Sequence, residues 1–396
     1  MRDRLATLGL YAFQRLNRLL AEVPPPEGVA PLDLSIGEPK HAPPAWLGEV
    51  IAAQGDSWNR YPPVRGTPPF REACARWLQR RYGVMLDADR QILPVAGTKE
   101  SLFMLATLAM DRFAGSGPPA ILMPNPVYPV YYGAAVMAGA EPVLLDTPAA
   151  HGFLPDLAAI EPALLERTAA LYLCSPSNPQ GMAADAAYWA KAVALAQRHG
   201  FLLIADECYA ELYYGAPPAG VLPQALASEG QLAHVVACHS LSKRSNAAGL
   251  RAGFVAASPE LIDAFAKLRS YSAAVQPMPV LAAATALLDD EAHVVENRAR
   301  YAQKMADAAD LIGDRFGFYQ PDGGFFLWLE VADGEQAALD LWQRAAVKTL
   351  PGSYTAHAHP DGRNPAQHNL RVALVHARAA NRDALLRMVE VLEAHR

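Results

Sequence analysis

Ala170-Leu-Tyr-Leu-Cys-Ser-Pro-Ser-Asn-Pro-Gln-Gly181, Phe201-Leu-Leu-Ile-Ala-Asp-Glu-Cys-Tyr209 and His234-Val-Val-Ala-Cys-His-Ser-Leu-Ser-Lys-Arg-Ser-Asn246 decide the fold. Each begins with an apolar run that does not alternate and then turns abruptly polar. Such a run suits a strand buried on both faces, as in a parallel sheet covered by helices. Ala120-Ile-Leu-Met123 and Ala252-Gly-Phe-Val-Ala256 have the same character. Helical patterns lie between the runs. Phe70, Ala73, Cys74, Trp77 and Leu78 recur at helical spacing, and Glu100 to Met110 is apolar almost all round, which predicts an interior helix. Strand-helix-strand order over roughly 200 residues predicts an α/β fold with a large, doubly wound, mostly parallel sheet.

The C-terminal part reads differently. Arg298 to Ile312 is helical, Gly323 to Leu329 and Asn369 to Leu374 read as strands, and Leu385, Met388, Val389 and Leu392 close the chain with an amphipathic helix. The expected organisation is a large domain over residues 41–284 and a smaller α+β domain over 285–396, which residues 1–40 join. A length of 396 residues agrees with a prior of about 150 residues per domain.

Composition narrows the function classes. The chain is 52% hydrophobic and 19% charged, so general disorder is excluded. Its 34 basic residues do not balance 40 acidic ones, leaving no cationic excess for sequence-independent nucleic-acid binding. Cys74, Cys174, Cys208 and Cys238 form no C-x-x-C pair and no close spacing with histidine, which argues against a zinc site or a disulfide framework. The apolar stretch Leu5 to Phe13 is broken by Gly9 and followed at once by Arg15 and Arg18, unlike a signal peptide. Ala273 to Leu288 is interrupted by Gln276, Pro277 and Pro279, and no stretch reaches the ~18 apolar residues of a membrane span. The chain reads as cytoplasmic, with no membrane or nucleic-acid partner.

The informative polar residues fall just after the apolar runs. Asn178, Asp206 and Lys243 follow three of them, and ligands of open α/β sheets bind at the carboxyl ends of strands. A lysine amine beside a carboxylate at such a rim suits pyridoxal phosphate: the amine condenses with the aldehyde, and the carboxylate keeps the pyridine nitrogen protonated. A phosphate needs a cradle, and Gly97-Thr98-Lys99-Glu100 offers a glycine turn leading into a helix N-terminus. Ser240 and Ser242 add hydroxyls, and Arg251 adds a fork of charged donors.

Ser240-Leu-Ser-Lys-Arg-Ser-Asn246 with Gly249-Leu-Arg-Ala-Gly-Phe254 resembles the lysine motif of the class I/II, fold-type I aminotransferases. Ser175-Pro-Ser-Asn-Pro179, Asp206-Glu-Cys-Tyr209, Gly97-Thr-Lys-Glu100 and Asn369-Leu-Arg371 follow in that family's order, so the resemblance covers nearly the whole chain. Leu34-Ser-Ile-Gly-Glu-Pro-Lys-His41 and Gly323-Gly-Phe-Phe-Leu-Trp328 are most similar to the N-succinyldiaminopimelate aminotransferases of lysine biosynthesis. The resemblance implies an enzyme that moves an amino group between N-succinyl-LL-2,6-diaminopimelate and 2-oxoglutarate, with an aminotransferase for aromatic, aspartate or alanine-type amino acids, or a lyase on the same fold, as the alternatives.

The resemblance also implies residue roles. Lys243 holds the cofactor and moves the proton, Asp206 pairs with the pyridinium nitrogen, Asn178 and Tyr209 bond the phenolic oxygen, and Tyr128 stacks on the ring. Thr98, Lys99, Ser240, Ser242 and Arg251 hold the phosphate, joined by Tyr61 of the neighbouring subunit in a homodimer. Arg371 grips the substrate α-carboxylate, helped by Gly37 and Asn178, while Lys40, Arg65 and Arg244 are candidates for the distal carboxylates. Gln180 and Ala248 depart from the family's usual Thr and Pro.

Other signals are weaker. Ser240-Leu-Ser-Lys243 matches the S-x-x-K of penicillin-recognising enzymes, but Lys348-Thr349-Leu350 does not complete the K-T-G triplet. Asp87 and Asp89 lack the glycine and distal glutamate of a calcium loop. Alternation along a strand edge should turn Glu207 away from Asp206. His357 and His359 read as a solvated loop, with substrate contact as the alternative.

Overall fold

The computed structural model describes residues 4–273 and 275–394. Its strands, in chain order, are β1 (Leu32–Asp33), β2 (Ile92–Val95), β3 (Ala120–Asn125), β4 (Glu141–Asp146), β5 (Thr168–Cys174), β6 (Leu202–Asp206), β7 (Val235–Ser240), β8 (Gly253–Ala256), β9 (Phe326–Glu330), β10 (Val347–Lys348), β11 (Leu350–Pro351) and β12 (Asn369–Ala373). The large sheet runs β2-β8-β7-β6-β5-β3-β4. Its β3 to β7 ladder is parallel, and β8 is antiparallel to both β2 and β7. The five apolar runs all fall on strands of this sheet. Half-exposed β4 has no comparable run, because an edge strand needs less apolar surface.

The non-alternating runs follow from burial on both faces. Leu171, Leu173, Leu203 and Ala205 enter one core layer, while Tyr172, Leu202 and Ile204 enter the layer on the opposite face. Asp185 and Ser258 start the helices Ala186–His199 and Pro259–Ser272 by accepting the amides of Tyr188 and Leu261, so each begins on a cap with a side-chain oxygen. The helix Thr98–Arg112 differs from the interior helix that its composition predicts. It buries Leu102, Leu105, Ala106 and Ala109 and leaves Phe103 40% exposed.

The C-terminal part has its own antiparallel sheet, β11-β12-β9, and β1 pairs in parallel with β10. The long helix Ala292–Ile312 and the closing helix Arg378–Glu393 pack against each other over this sheet, enclosing Leu34, Met305, Leu327, Leu370 and Leu385. Among the described residues no helix is long and apolar enough to cross a membrane.

The turn from β2 into helix Thr98–Arg112 is clamped by an ion pair between fully buried Arg269 and partly buried Glu100. Arg269, with no exposed surface, donates from Nε to Glu100 at 3.0 Å and from Nη1 to the Pro94 carbonyl at 2.7 Å. Glu100 also accepts the Ala96 amide at 2.6 Å. Removing one partner of a buried pair leaves the other charge uncompensated. Arg269→Ala should therefore lower unfolding free energy by about 3–5 kcal/mol in urea titration, and a loss below about 1 kcal/mol would show that the clamp contributes little.

Candidate active site

Strand register brings the polar residues together. Cys174 lies opposite Asp206, and Asp206 opposite Cys238, so β5 and β6 end level while β7 runs two residues further, to Ser240. Each is followed by a polar turn on the same rim, and together these turns floor a cleft of about 450 Å³. Gly37, Thr98, Lys99, Tyr128, Asn178, Asp206, Tyr209, Ser240, Ser242, Lys243, Arg251 and Arg371 all line it. Tyr61 does not; its side chain is fully exposed elsewhere on the surface.

Lys243 sits on the single helical turn Leu241–Arg244 that follows β7. Ser240 starts this turn by accepting the Ser242 amide at 3.1 Å, and the two serine hydroxyls are 3.0 Å apart. The Lys243 amine donates to the Gly37 carbonyl at 2.6 Å. Burial lowers its pKa to about 8, reinforced by the charges of Arg371 and Arg251. A larger fraction of the amine is thus unprotonated near neutrality than for an exposed lysine.

Asp206 ends β6 and is buried. Burial raises its pKa, opposed by hydrogen bonds from the Tyr131 hydroxyl at 2.6 Å and the Cys208 amide at 3.3 Å. Sequence reasoning misses Tyr131. The available signal is its position one helical turn after Tyr128, and the two rings meet edge to face at 5.4 Å. Glu207 points away from the cleft, as strand alternation predicts, and accepts the Val221 amide and the Tyr82 hydroxyl.

Arg371 is brought from β12 to the opposite wall. It donates from Nη1 to Asn178 at 3.1 Å and from Nη2 to the Ser35 carbonyl at 2.7 Å, and its guanidinium lies 4.6 Å from the Phe326 ring centre. Its Nε is buried without a partner, and burial lowers its pKa to about 10. A buried cation on a cleft wall with no carboxylate partner among the described residues is a receptor for an anion.

A second anion site lies at the start of helix Thr98–Arg112. Gly97 turns the chain at φ +76°, leaving the first amides of the helix free to face a ligand. Arg251 reaches across this turn, donating to the carbonyls of Ala248 at 2.7 Å and Ala96 at 3.3 Å. A Cβ on Gly97 would collide with the Arg251 guanidinium.

The distal candidates are corrected. Lys40 pairs with Glu38 and Arg65 with Asp263, and neither lines the cleft. Arg244 is buried behind the sheet rim, donating to the Leu287 carbonyl and to Glu291. One residue on a helix turns the side chain by about 100°, so the neighbour of an inward lysine points elsewhere. Gln180 does line the cleft and donates to the Thr147 hydroxyl at 2.9 Å.

Gly97→Ala should displace the Arg251 guanidinium and weaken pyridoxal phosphate binding by about tenfold or more, measured by titration of the apoprotein. Unchanged affinity would place the phosphate site elsewhere.

Comparison with known proteins agrees with this geometry. Residues 30–388 match the family Aminotransferase class I and II. The chain is 34% identical to the 4-dedimethylamino-4-oxo-anhydrotetracycline transaminase OxyQ of Streptomyces rimosus, across 84% of this chain and 87% of that protein. It is 31% identical to an LL-diaminopimelate aminotransferase of Desulforudis audaxviator, across 88% and 89%. The crystal structure of an aminotransferase from Neisseria meningitidis superposes with a TM-score of 0.93 at 37% identity, covering 99% of this chain and 100% of that one. A probable N-succinyldiaminopimelate aminotransferase from Thermus thermophilus gives 0.81 at 28% identity, covering 96% and 98%. With an amine, a carboxylate and two anion sites converging on one cleft, the chain belongs to the class I and II aminotransferases, a family dependent on pyridoxal phosphate.

Proposed function

We propose that this aminotransferase exchanges an amino group between N-succinyl-LL-2,6-diaminopimelate and 2-oxoglutarate. The observation that carries the reading is a buried Arg371 on the wall of the cleft that Lys243 and Asp206 also line, where it can receive the α-carboxylate of an amino acid. The diaminopimelate-related names of two similar proteins support it. In place of the three excluded cations, Lys99 at the cleft, 5.7 Å from the Tyr11 ring, is the donor for the far end of the substrate. A second reading rests on Phe13, Ile36, Phe153 and Leu350, which make much of the lining apolar and favour an aromatic side chain.

The residues present fit pyridoxal phosphate. The free amides after Gly97 and the Arg251 fork suit a phosphate, buried Asp206 suits a cationic ring nitrogen, and the Lys243 amine suits an aldehyde. When bound, pyridoxal phosphate supplies an electron sink for charge at the substrate Cα. The backbone amides of Thr98 and Lys99, with Ser240, Ser242 and Arg251, would hold the phosphate, and the exposed Tyr61 would reach that of the other subunit in a homodimer. Asp206, held by the Tyr131 hydroxyl, would keep the ring nitrogen protonated. Asn178 and Tyr209 would bond the phenolic oxygen, and Tyr128 would cover the ring. Arg371 and Gly37 orient the α-carboxylate. Lys243 then carries the proton to and from the substrate Cα, an exchange that a lysine with pKa about 8 performs in both directions.

Lys243→Ala should abolish the visible absorbance of the lysine-bound cofactor and slow transamination by several orders of magnitude, since nucleophile and proton carrier are lost together. An active variant would move the chemistry to another residue. For the substrate, kcat/KM should be higher for the succinylated compound than for free diaminopimelate or phenylalanine. A preference for phenylalanine would support the second reading and overturn the first.

A further inference from the structure

The His357/His359 pair is neither a solvated loop nor a lining of the cleft. His357 stacks on Tyr132, with ring centres 4.0 Å apart and planes 14° apart. Its backbone is read by a single side chain: the His357 amide donates to Asn125 Oδ1 at 3.0 Å, and Asn125 Nδ2 donates to the His357 carbonyl at 3.1 Å. Asn125 is only 1% exposed, and its Nδ2 also donates to Asp146 at 3.2 Å. His359 Nε2 bonds the other oxygen of Asp146 at 2.9 Å. The Val127 amide completes the join by donating to the Thr355 carbonyl at 2.8 Å.

Asn125 and Asp146 are the last, mutually paired residues of β3 and β4 in the large sheet, whereas His357 and His359 follow the β11 turn of the C-terminal part. The join therefore spans the two sheets. It also reaches the cleft wall. The Thr147 amide and hydroxyl donate to the Asn125 carbonyl, and the Thr147 hydroxyl accepts from Gln180. Val127, Thr147, Gln180 and Thr355 all line the cleft. One buried amide thus fixes the spacing between a wall on the large sheet and a wall on the C-terminal part.

We propose that Asn125, Asp146 and His359 are positioning residues that set the width of the cleft for the substrate side chain. They touch neither substrate nor cofactor. A long side chain meets both walls and loses contact when the join opens; a short one held by Arg371 does not. The inference rests on the aminotransferase reading but not on the identity of the amino donor.

The test uses the holoenzyme. A wild-type panel first establishes which amino acids are turned over, and a failure of N-succinyl-LL-2,6-diaminopimelate there touches only the proposed substrate. KM is then compared between the longest and the shortest accepted substrates. Asn125→Ala, which leaves both backbone groups of His357 unpaired, should raise KM for the long substrate by about tenfold. His359→Ala, at a partly exposed pair, should raise it by about two- to fivefold. Both should change KM for the short substrate and pyridoxal phosphate affinity by less than about twofold, and His359→Gln should restore the long-substrate KM by keeping a donor toward Asp146. Hydrogen exchange at the His357 amide should accelerate in Asn125→Ala. If Asn125→Ala does not fold, His359→Ala and its rescue decide the matter. Equal KM changes for long and short substrates, parallel loss of cofactor affinity, or no KM change in His359→Ala would overturn the proposal.

Discussion

The structure depends on the register of three parallel strands. Because Cys174, Asp206 and Cys238 share one level of the sheet, the turns after β5, β6 and β7 open on the same rim. Parallel strands of this kind are buried on both faces, so only their ends can carry polar chemistry. Asn178, Asp206 and Lys243 occupy those ends, and the cleft lies where the apolar layers stop. A slip of one residue in β6 would turn Asp206 away from the cleft and put Glu207 in its place.

Buried charge gives the cleft its character. Lys243 meets a backbone carbonyl, and Arg371 meets the amide oxygen of Asn178 and the carbonyl of Ser35; no carboxylate pairs with Arg371 among the described residues. Desolvation lowers the pKa of both cations. Such an arrangement is costly without an anion and becomes favourable when one arrives. Two anion sites on the cleft that Lys243 lines, one at the Gly97 turn and one at Arg371, suit a cofactor phosphate and a substrate carboxylate. Electrostatics thus orient both ligands before any proton moves.

Much of this is legible in the sequence because strands buried on both faces leave uninterrupted apolar runs, and the residues after them fall on one rim. Asn178, Asp206 and Lys243 can be placed by counting from Cys174, Ala205 and Cys238. What cannot be read depends on side-chain direction or on distant pairing. Arg244 adjoins Lys243 in sequence yet points behind the sheet to Glu291. Tyr131 is one more aromatic in an apolar helix, yet its hydroxyl lies 2.6 Å from Asp206. The join between Asn125 and His357 links residues 232 positions apart, beyond any local pattern. Strand β4, which supplies Asp146, is half exposed and carries no distinctive apolar run.

The central claim is that Lys243 and Asp206 serve amino-group transfer rather than elimination or decarboxylation, which the same pair could support. The most direct measurement mixes holoenzyme with an accepted amino acid in the absence of any oxo acid. The account predicts up to one equivalent of oxo acid per active site, loss of the visible cofactor absorbance, and its return when an accepted oxo acid is added. Continued turnover without an oxo acid, releasing ammonia or carbon dioxide, would contradict it.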